Sequence, residues 1–460
     1  MRRPALALAA LLAPLLAAGC GRADGVEPLR DELAGCNVLV TLIDACAAGH
    51  LASYGYDRAT TPYLDRLAGE SVLFEDVTAA APYTLASVAS LMTGEQVDMH
   101  GVTEAGDVLP EDTTLLAEAF RGAGYATSGL STNAHVRARF DFDRGFDVFE
   151  SLRPDLADGR PHAVPEAMVD AARAFVEAPP AEPWFAYWHF MPPHAPYDPP
   201  PPHRDAFAAR LPDAAPGSLA YLSALTAGAA QAGPAEREAI VDLYDSGLRY
   251  VDAVLADLGA RLEASGALER TLWIVLSDHG EAFGEHGIWQ HSGNVHRELL
   301  HVPLLVRLPG ARRAGTRVAA PVSLVDVYAT LADLLRLDAA PRETGTSLAG
   351  LLAGEPALEG GRDLPIVART AGRRPHRSLR RGAHKVIWRE AEDRWQLYDL
   401  EGDPNETDDL ARRRPRLLAL LREELEVWAD RAARRERRRR RIELDESLRE
   451  ELGEIGYGGD

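Results

Sequence analysis

The sequence predicts an α/β protein in which a doubly wound, mixed or parallel sheet is sandwiched by helices and followed by a small C-terminal α+β subdomain. Apolar, β-branched runs such as Asn37–Ile43 are typical of strands that are buried on both faces. Helical patterns alternate with these runs, which favours strands joined by crossover helices. Beyond residue 309 the composition loosens, and shorter strand-like runs there predict a small antiparallel sheet with a closing helix.

The predicted elements follow one another in a regular order. Strands of the main sheet are predicted at residues 37–43, 126–130, 184–189, 271–277 and 303–307, and helices at 61–70, 113–123, 165–177, 235–264 and 322–335. The small sheet is predicted from strands at 366–369, 384–388 and 395–400, followed by a helix at 415–441. The segment 192–234 is rich in Pro, Ala and His, which predicts a long excursion over the mouth of a site. The predicted organisation is therefore a large domain at 37–340, a linker at 341–365 and a C-terminal subdomain at 366–460.

An export signal is predicted at residues 1–20. Arg2 and Arg3 precede a short apolar run that ends in Leu16-Ala-Ala-Gly-Cys20, and a membrane span would need about 20 apolar residues. Because small residues lead to a cysteine, the pattern resembles a bacterial lipobox and predicts that Cys20 is lipidated. The mature protein is then expected to be a membrane-anchored lipoprotein that faces the periplasm or the cell exterior. An ordinary signal peptide with a soluble secreted product is the alternative.

Charge and cysteine content argue against some classes of protein. The formal net charge is -20, which argues against a nucleic-acid partner. The Arg-rich run at 434–441 is interpreted as the solvated face of a terminal helix, with contact to anionic lipid as the alternative. Cys36 and Cys46 flank the first predicted strand and would lie roughly 30 Å apart, beyond the disulfide limit of about 7 Å, so no disulfide is expected.

Two predicted strands lead into acidic residues. Asp44 directly follows the strand at 37–43, and Asp278 stands at the end of the strand at 271–277. In doubly wound sheets, ligands collect at the carboxyl ends of the strands. Metal ions need anionic oxygens that converge from several strands. Asp44 and Asp278 are therefore candidate metal ligands at this edge of the sheet, whereas Asp278-His-Gly280 on its own is more often a turn.

Six sequence blocks carry a resemblance to a known family. They are Tyr54-Gly-Tyr-Asp-Arg with Thr60-Thr-Pro-Tyr-Leu-Asp65, Ala81-Pro-Tyr-Thr-Leu-Ala-Ser-Val-Ala-Ser-Leu-Met-Thr-Gly94, Trp188-His-Phe-Met-Pro-Pro-His194-Ala-Pro-Tyr197, Ser277-Asp-His-Gly-Glu281 with Phe283-Gly-Glu-His-Gly287, His301-Val-Pro303, and Leu397-Tyr-Asp-Leu-Glu-Gly-Asp-Pro-Asn-Glu-Thr407. The chain resembles the sulfatase family of the alkaline phosphatase-like superfamily from about residue 37 to its end. This resemblance implies that residues 37–340 form a sulfatase-like catalytic domain.

The family signature Cys/Ser-x-Pro-x-Arg is altered in this chain. Aligned on Ser90-Leu-Met-Thr-Gly94, Thr84 stands at the family's modified cysteine, Ala86 at its proline and Val88 at its arginine. Sulfatases oxidise that cysteine to formylglycine, whose hydrated aldehyde releases sulfate by collapsing, and a threonine cannot yield this aldehyde. The phosphoethanolamine and lipoteichoic-acid transferases of the superfamily use threonine at this place. Thr84 therefore favours phosphoryl chemistry, because phosphorus tolerates the second attack that releases a threonine-bound intermediate.

The resemblance also implies a metal site. Asp44, Asp278, His279 and Thr84 are expected to hold one divalent ion, with Thr84 as the nucleophile. Mn or Zn is expected rather than Ca or Mg, because imidazole is a poor ligand for calcium.

The resemblance also implies that three histidines outside the metal site are candidates for contact with the substrate. His194 is expected to bind a substrate oxygen or to protonate the leaving group. His291 falls near a substrate-facing position, and His135 is a similar candidate. His286 is interpreted as structural.

The sequence thus predicts a metal-dependent hydrolase or transferase that acts on a sulfuric or phosphoric ester, with phosphoryl chemistry favoured. Its expected partner is an anionic ester substrate, and both the identity of the substrate and the oligomeric state stay open. The alternative is a catalytically inactive binding protein of the same fold, anchored at the cell envelope. Ala45 in place of a second acidic residue, Val88 in place of arginine and the missing site lysines favour that alternative.

Overall fold

The computed structural model describes residues 25–152, 166–208, 215–291, 293–339, 345–357, 362–372, 375–435 and 439–454. The predicted export signal and Cys20 lie outside these ranges, as do parts of the predicted excursion, linker and Arg-rich run. Within the described ranges, none of the helices combines the length and the apolar character that crossing a membrane requires.

The described residues form strands and helices that alternate along most of the chain. The strands are β1 (Asn37–Ile43), β2 (Val72–Phe74), β3 (Val77–Thr78), β4 (Asp107–Val108), β5 (Ala126–Ser131), β6 (Val148–Ser151), β7 (Trp184–Phe190), β8 (Thr271–Leu276), β9 (Ala282–Phe283), β10 (Trp289–Gln290), β11 (Leu304–Arg307), β12 (Thr316–Val318), β13 (Val322–Ser323), β14 (Ile366–Arg369), β15 (His376–Arg381), β16 (His384–Arg389), β17 (Arg394–Asp399) and β18 (Arg440–Arg441). The helices are α1 (Val26–Leu33), α2 (Pro62–Gly69), α3 (Thr84–Thr93), α4 (Val97–His100), α5 (Leu116–Gly122), α6 (Glu166–Glu177), α7 (Asp205–Ala208), α8 (Leu219–Thr226), α9 (Pro234–Ala264), α10 (Arg297–Leu300), α11 (Asp326–Leu334), α12 (Ala349–Ala353), α13 (Pro415–Arg434) and α14 (Glu446–Glu454).

The main sheet has the predicted mixed architecture. Its eight strands lie in the order β12-β2-β11-β8-β1-β7-β5-β6. The strands from β8 to β6 run parallel, and β11 runs antiparallel to both of its neighbours. All five predicted strands are present. The sequence does not predict β2, β6 and β12, because runs of three or four residues are too short to show a period.

Strand β1 shows how the sheet is held between two hydrophobic cores. Val38, Val40 and Leu42 enter one core, and Leu39 and Ile43 enter the other. Successive side chains of a strand point to opposite faces, so this distribution places a core on each side of the sheet. Helices α1, α3 and α11 pack in the first core, and α2, α6 and α9 pack in the second.

A second, antiparallel sheet has the strand order β14-β15-β16-β17 and packs against helix α13. It matches the predicted small sheet, with β15 as an additional strand. The sequence of β15 is rich in arginine and does not predict a strand. Arg380 pairs with Asp76 at 2.6 Å, and Arg377 lies 3.2 Å from Asp98. Acidic partners that are remote in sequence therefore neutralise this strand.

The Arg-rich run does not continue the closing helix. Helix α13 ends at Arg434, and strand β18 pairs antiparallel with β4. Arg440 lies 3.3 Å from Glu111, and Arg441 lies 3.0 Å from Glu104. The predicted helix at 415–441 is therefore wrong at residues 440 and 441, which strand pairing and acidic partners from another part of the chain hold extended.

Two further segments differ from their predictions. Residues 322–335 begin as strand β13, and α11 starts only at Asp326, whose Oδ2 accepts a hydrogen bond from the Ser323 amide at 2.7 Å. The described part of the predicted linker includes α12, and Leu352 of this helix is buried in the first core. Cys36 and Cys46 are free and buried, as expected.

Candidate active site

Two parallel strands and one helix bring the predicted metal-site residues together. Strands β1 and β8 pair in parallel, so Asp44 and Asp278 emerge at the same edge of the sheet. Thr84 is the first residue of helix α3, and Tyr83 is the N-cap. Thr84 therefore lies where the amide groups of a helix start point outward, a favourable place for an anion.

Oxygen and nitrogen atoms of four residues converge at this edge. Thr84 Oγ1 lies 3.4 Å from Asp44 Oδ1 and 3.3 Å from His279 Nε2. His279 Nε2 lies 3.5 Å from Asp278 Oδ2 and 3.6 Å from Asp44 Oδ1. One ligand atom from each of Asp44, Asp278 and His279 lies within 4.8 Å of the others, so these three residues could hold a metal ion. All four side chains are fully buried.

Each of the two carboxylates has one oxygen that is engaged and one that faces this centre. Asp44 Oδ2 accepts hydrogen bonds from Asn133 Nδ2 at 2.6 Å and His189 Nε2 at 2.9 Å. Asp278 Oδ1 accepts one from the Ala45 amide at 3.2 Å, whereas its buried Oδ2 accepts none from the described residues. Two buried carboxylates are costly unless a cation compensates them. The donor set therefore fits a divalent cation.

The hydrogen bonding of His279 fixes which ring nitrogen faces the centre. Its Nδ1 lies 2.9 Å from the carbonyl oxygen of Gly280. A carbonyl only accepts, so Nδ1 carries a proton, and in the neutral tautomer the lone pair of Nε2 faces Asp44, Asp278 and Thr84. This tautomer, held by a backbone carbonyl, is the one in which histidine ligates metals.

The pKa values of Asp44 and Asp278 shift in opposite directions. Burial raises the pKa of Asp278, and the neighbouring Asp44 raises it further. Burial also acts to raise the pKa of Asp44, but His194, His189 and His279 outweigh it, so that this pKa lies below its usual range. Asp44 is therefore the permanent anion of the pair, and a cation would favour ionisation of Asp278 as well.

His194 and His291 form a hydrogen-bonded pair beside this centre. His194 Nε2 lies 3.2 Å from His291 Nε2, and the rings of His279 and His291 are 4.5 Å apart. Burial lowers the pKa of His194 to about 4 and that of His291 well below its usual value. Both imidazoles are therefore neutral at physiological pH.

Hydrogen bonds link the His194–His291 pair to Glu281, and the direction of each bond can be assigned. His194 Nδ1 lies 2.7 Å from the Ala195 carbonyl, so this nitrogen donates and His194 Nε2 must accept from His291 Nε2. His291 Nδ1 then accepts, and it lies 3.1 Å from Glu281 Oε1. Burial raises the pKa of Glu281 to about 7, which is consistent with a protonated carboxyl group as the donor. The chain of groups can thus hold one proton at the reaction centre.

His135 occupies a different position from the other candidates. It follows β5, and its ring packs edge-on against Phe140 at 5.8 Å. Burial, with the charge of Arg137, lowers the pKa of His135 to about 3. From this loop it is Asn133, two residues earlier, that hydrogen-bonds to Asp44.

A cavity of about 490 Å³ adjoins the site, with Glu281 and Phe283 in its wall. His50 also lines it, and His50 Nδ1 lies 2.8 Å from the buried carboxylate of Asp245. Thr84 and the three residues that could hold a metal ion are fully buried, and His291 is 7% exposed.

Sequence reasoning missed the residues that orient the site. Asn133, His189 and Glu281 each hydrogen-bond to a predicted site residue, and Ser87 Oγ donates to the Asp278 carbonyl at 2.6 Å. Their positions gave a partial signal, since Asn133 and His189 lie at the carboxyl ends of β5 and β7. Asp44 was a candidate site residue because it follows a parallel strand at its carboxyl end. Polar residues at the carboxyl ends of the neighbouring parallel strands are candidate site residues for the same reason.

Comparison with known families gives two matches. The family model described as Sulfatase matches residues 36–337, and the one described as N-sulphoglucosamine sulphohydrolase, C-terminal, matches residues 284–428. An ulvan-active sulfatase of Formosa agariphila is 25% identical over 411 residues, which cover 83% of this chain and 78% of that protein. Arylsulfatase K of Mus musculus is 33% identical over 183 residues, which cover 38% of this chain and 33% of that protein.

Solved structures share the fold. A phosphonate monoester hydrolase of Agrobacterium radiobacter aligns with a TM-score of 0.71 and 22% identity over 90% of this chain and 98% of that chain. A protein solved in complex with its substrate D-glucosamine-2-N,6-O-disulfate aligns with a TM-score of 0.72 and 20% identity over 86% of this chain and 98% of that chain.

Proposed function

Because the chain belongs to the sulfatase family and is an ester hydrolase of that superfamily, we propose that it hydrolyses a phosphoric ester in preference to a sulfuric ester, with Thr84 as the nucleophile. The observation that carries this proposal is the position of Thr84 Oγ1, 3.3 Å from His279 Nε2 and 3.4 Å from Asp44 Oδ1. The residue that cannot become an aldehyde thus lies beside two of the residues that could hold a metal ion, which supports the proposal. The relatives named above act on sulfate and phosphonate esters, and both ester types are within the chemistry of this fold.

Asp44, Asp278, His279 and Thr84 would hold a divalent metal ion, and Mn or Zn suits their mixture of oxygen and imidazole ligands. The ion, when bound, would lower the pKa of the Thr84 hydroxyl and neutralise charge on the substrate. The protein supplies the rest of the arrangement. Asn133 keeps Asp44 oriented, and the Gly280 carbonyl keeps His279 in the ligating tautomer.

The reaction has two steps at phosphorus. The Thr84 oxygen forms a bond to phosphorus as the bond from phosphorus to the alcohol oxygen breaks, and the hydroxyl proton of Thr84 passes to the neutral His194–His291 pair. The departing alcohol oxygen takes a proton from the His194–His291 pair. Water then attacks phosphorus, the bond to Thr84 breaks, and one proton of that water passes through the same pair to the Thr84 oxygen. The net reaction is ester plus water giving alcohol plus the phosphoric acid.

The test compares esters that differ only in the acid. The enzyme without residues 1–20 is assayed with 4-nitrophenyl phosphate, a 4-nitrophenyl phosphonate and 4-nitrophenyl sulfate, which share one leaving group. Phosphorus esters are expected to be turned over faster than the sulfate, and Thr84→Val is expected to abolish turnover. Thr93→Val removes a hydroxyl from the other end of the same helix and should retain activity, because Thr93 Oγ1 donates to the Ala89 carbonyl and accepts from the Glu95 amide, away from Thr84.

A chemical trap tests the nucleophile directly. Enzyme quenched in acid during turnover should carry one phosphoryl group on the peptide that contains Thr84, as found by mass spectrometry. Faster turnover of the sulfate would contradict the preference for phosphorus. Turnover of none of the three esters by metal-loaded protein would favour the catalytically inactive binding protein instead.

A further inference from the structure

The C-terminal sheet contacts the segment that follows His291 through two buried charged residues. Lys385 Nζ donates to the Val295 carbonyl at 2.7 Å and to Glu406 Oε1 at 2.6 Å. Glu406 Oε2 accepts from His296 Nδ1 at 2.6 Å and from the Arg297 amide at 3.1 Å. Two residues of the C-terminal subdomain thus hold three consecutive residues, 295–297, of the catalytic domain.

These contacts are fully removed from water. Lys385 is 4% exposed and Glu406 is 1% exposed. Burying an ion pair has a considerable desolvation cost. Both charged groups therefore need hydrogen bonds of good geometry to compensate for it. Lys385 lies in strand β16, which pairs with β15 and β17 along its length, so the ammonium group projects from a rigid support.

The amino-acid composition sets Lys385 apart. The chain has 50 residues of the lysine and arginine types, and Lys385 is the only lysine. A single ammonium nitrogen can bond the Val295 carbonyl and Glu406 at the same point, whereas the donors of a guanidinium group are spread over a planar fork. The remaining cavity beside Lys385 and Glu406 measures about 20 Å³, which is room for one water molecule.

The segment that carries His291 has a backbone that needs external support. Gln290 has a φ of 60°, a left-handed conformation that is unfavourable for residues other than glycine. Such conformations persist where the surrounding structure imposes them. His286 and Glu406 also have positive φ values, and the His286 ring stacks on His296 at 3.8 Å. His286 also lies 3.0 Å from the Glu406 carbonyl, so two of these three residues belong to the set of contacts around His296.

We propose that Lys385 and Glu406 are positioning residues for His291: by holding residues 295–297 they fix the loop that places the His291 ring beside His194 and the ester. This inference rests on the proposed function, in which the His194–His291 pair supplies the proton for the leaving group. Neither residue touches the reacting atoms, so both act only through the loop.

The test removes the charged pair as a unit. Lys385→Met with Glu406→Gln leaves no unpaired buried charge, and the glutamine oxygen still accepts from the Arg297 amide. With the phosphorus ester that the wild type turns over, kcat is expected to fall about 100-fold, the effect of a misplacement of about 1 Å, with KM changed less than about threefold. The bound metal content is expected to stay the same, because Asp44, Asp278 and His279 are not touched.

The matched control is another buried ion pair that joins two segments of the chain. Asp326 accepts two hydrogen bonds from Arg362, at 2.6 and 2.8 Å, and also accepts from backbone amides. Arg362→Met with Asp326→Asn should lower thermal stability by a similar amount and leave kcat unchanged. Equal losses of kcat in both double variants would overturn the proposal, because the loss would then follow stability alone.

Hydrogen exchange provides a measurement that does not require activity. Amides of residues 293–300 are expected to exchange at least tenfold faster in the Lys385→Met, Glu406→Gln variant, while amides of β8 keep their protection. Unchanged exchange at 293–300 would overturn the proposal, and so would faster exchange with an unchanged kcat. If the wild type turned over no ester, the proposed function would fail and the catalytic part of this inference with it, whereas the exchange rates would still show whether the pair holds the loop.

Discussion

The two oxygen atoms of Asp44 have separate sets of contacts. Oδ1 faces Thr84 and His279, and Oδ2 is held by Asn133 and His189. The second pair of contacts sets the orientation of the carboxylate, so that Oδ1 needs no rearrangement to ligate an ion. Groups that orient ligands contribute to metal affinity almost as strongly as the ligands themselves.

Asn133→Ala is expected to weaken metal binding by about 10- to 100-fold, because Asp44 loses one of its orienting donors. Metal affinity can be measured by competition with a chelator, using Mn and Zn in separate titrations. The control is Asn37→Ala at the opposite end of β1, where Asn37 Nδ2 donates to Glu182 Oε1 at 3.0 Å. Asn37→Ala should lower stability without changing metal affinity, and equal affinities for the two variants would contradict the orienting function of Asn133.

Glu281 tests the direction of the hydrogen-bond chain to His194. If the Glu281 carboxyl group donates to His291 Nδ1, Glu281→Gln keeps a donor of the same shape, and kcat should stay within about tenfold of wild type. Glu281→Ala removes the donor and should lower kcat by about 100-fold or more, the usual size of a general acid–base contribution. Steady-state kinetics with a phosphorus ester would measure both. A glutamine variant as inactive as the alanine variant would show that an ionised carboxylate is required instead.

The strands that carry the site were predictable because they are long and uniformly apolar. Strands β1, β7 and β8 are buried along their whole length, and a run of six or seven apolar residues has few other stable conformations in a protein of this size. Asp44 and Asp278 could be placed because each stands where such a run ends. The rest depended on partners distant in sequence: β15 is neutralised by Asp76 and Asp98, and β18 by Glu104 and Glu111.

The contact between α2 and α9 depends on a glycine in the middle of a long helix. Gly259 lies in α9, and a Cβ atom there would lie 1.7 Å from the Tyr63 hydroxyl of α2. Alanine in place of glycine normally stabilises a helix by about 1 kcal/mol. At this position the buried Tyr63 ring would have to move, and overpacking of a core costs about 1–3 kcal/mol.

Gly259→Ala is therefore expected to lower the free energy of unfolding in spite of the better helix propensity of alanine. Gly122→Ala in helix α5 is the control, because a Cβ atom there would meet nothing within 4 Å. This control should be neutral or stabilising. Chemical denaturation of both variants would measure the difference, and a gain in stability for Gly259→Ala would show that Tyr63 can move aside without cost.

The C-terminal part of the chain and the large domain form a continuous structure within the described residues. Strand β14 reaches the segment before Thr84 through the hydrogen bond from the Arg369 amide to the Ala80 carbonyl, at 3.2 Å. Arg380 binds Asp76, which also lies 3.1 Å from Arg297. Arg297 is thus held by Asp76, which also binds Arg380 of the C-terminal sheet. An export signal and lipid anchor at Cys20 stay a prediction from the sequence alone.

Helix α14, which lies close to the end of this sequence, also packs against the large domain. Leu448 and Leu452 are each 1% exposed and belong to the first core, together with residues of β1 and α3. The sequence does not predict this, because a short helix with many charged residues has no pattern that distinguishes a core contact from a solvated tail. The two leucines nevertheless remove a large apolar area from water.

Leu452→Ala is expected to reduce the free energy of unfolding by about 2–5 kcal/mol, the usual effect of leaving a cavity in a core. Leu420→Ala is the matched control, since Leu420 lies in helix α13 and is 65% exposed. A substitution at such a surface position should change stability by less than about 0.5 kcal/mol. Thermal or chemical denaturation of the two variants would measure the contrast. Equal small effects would show that α14 is not packed in the core, whereas the expected difference would establish that residues 446–454 are an integral part of the domain that carries Thr84.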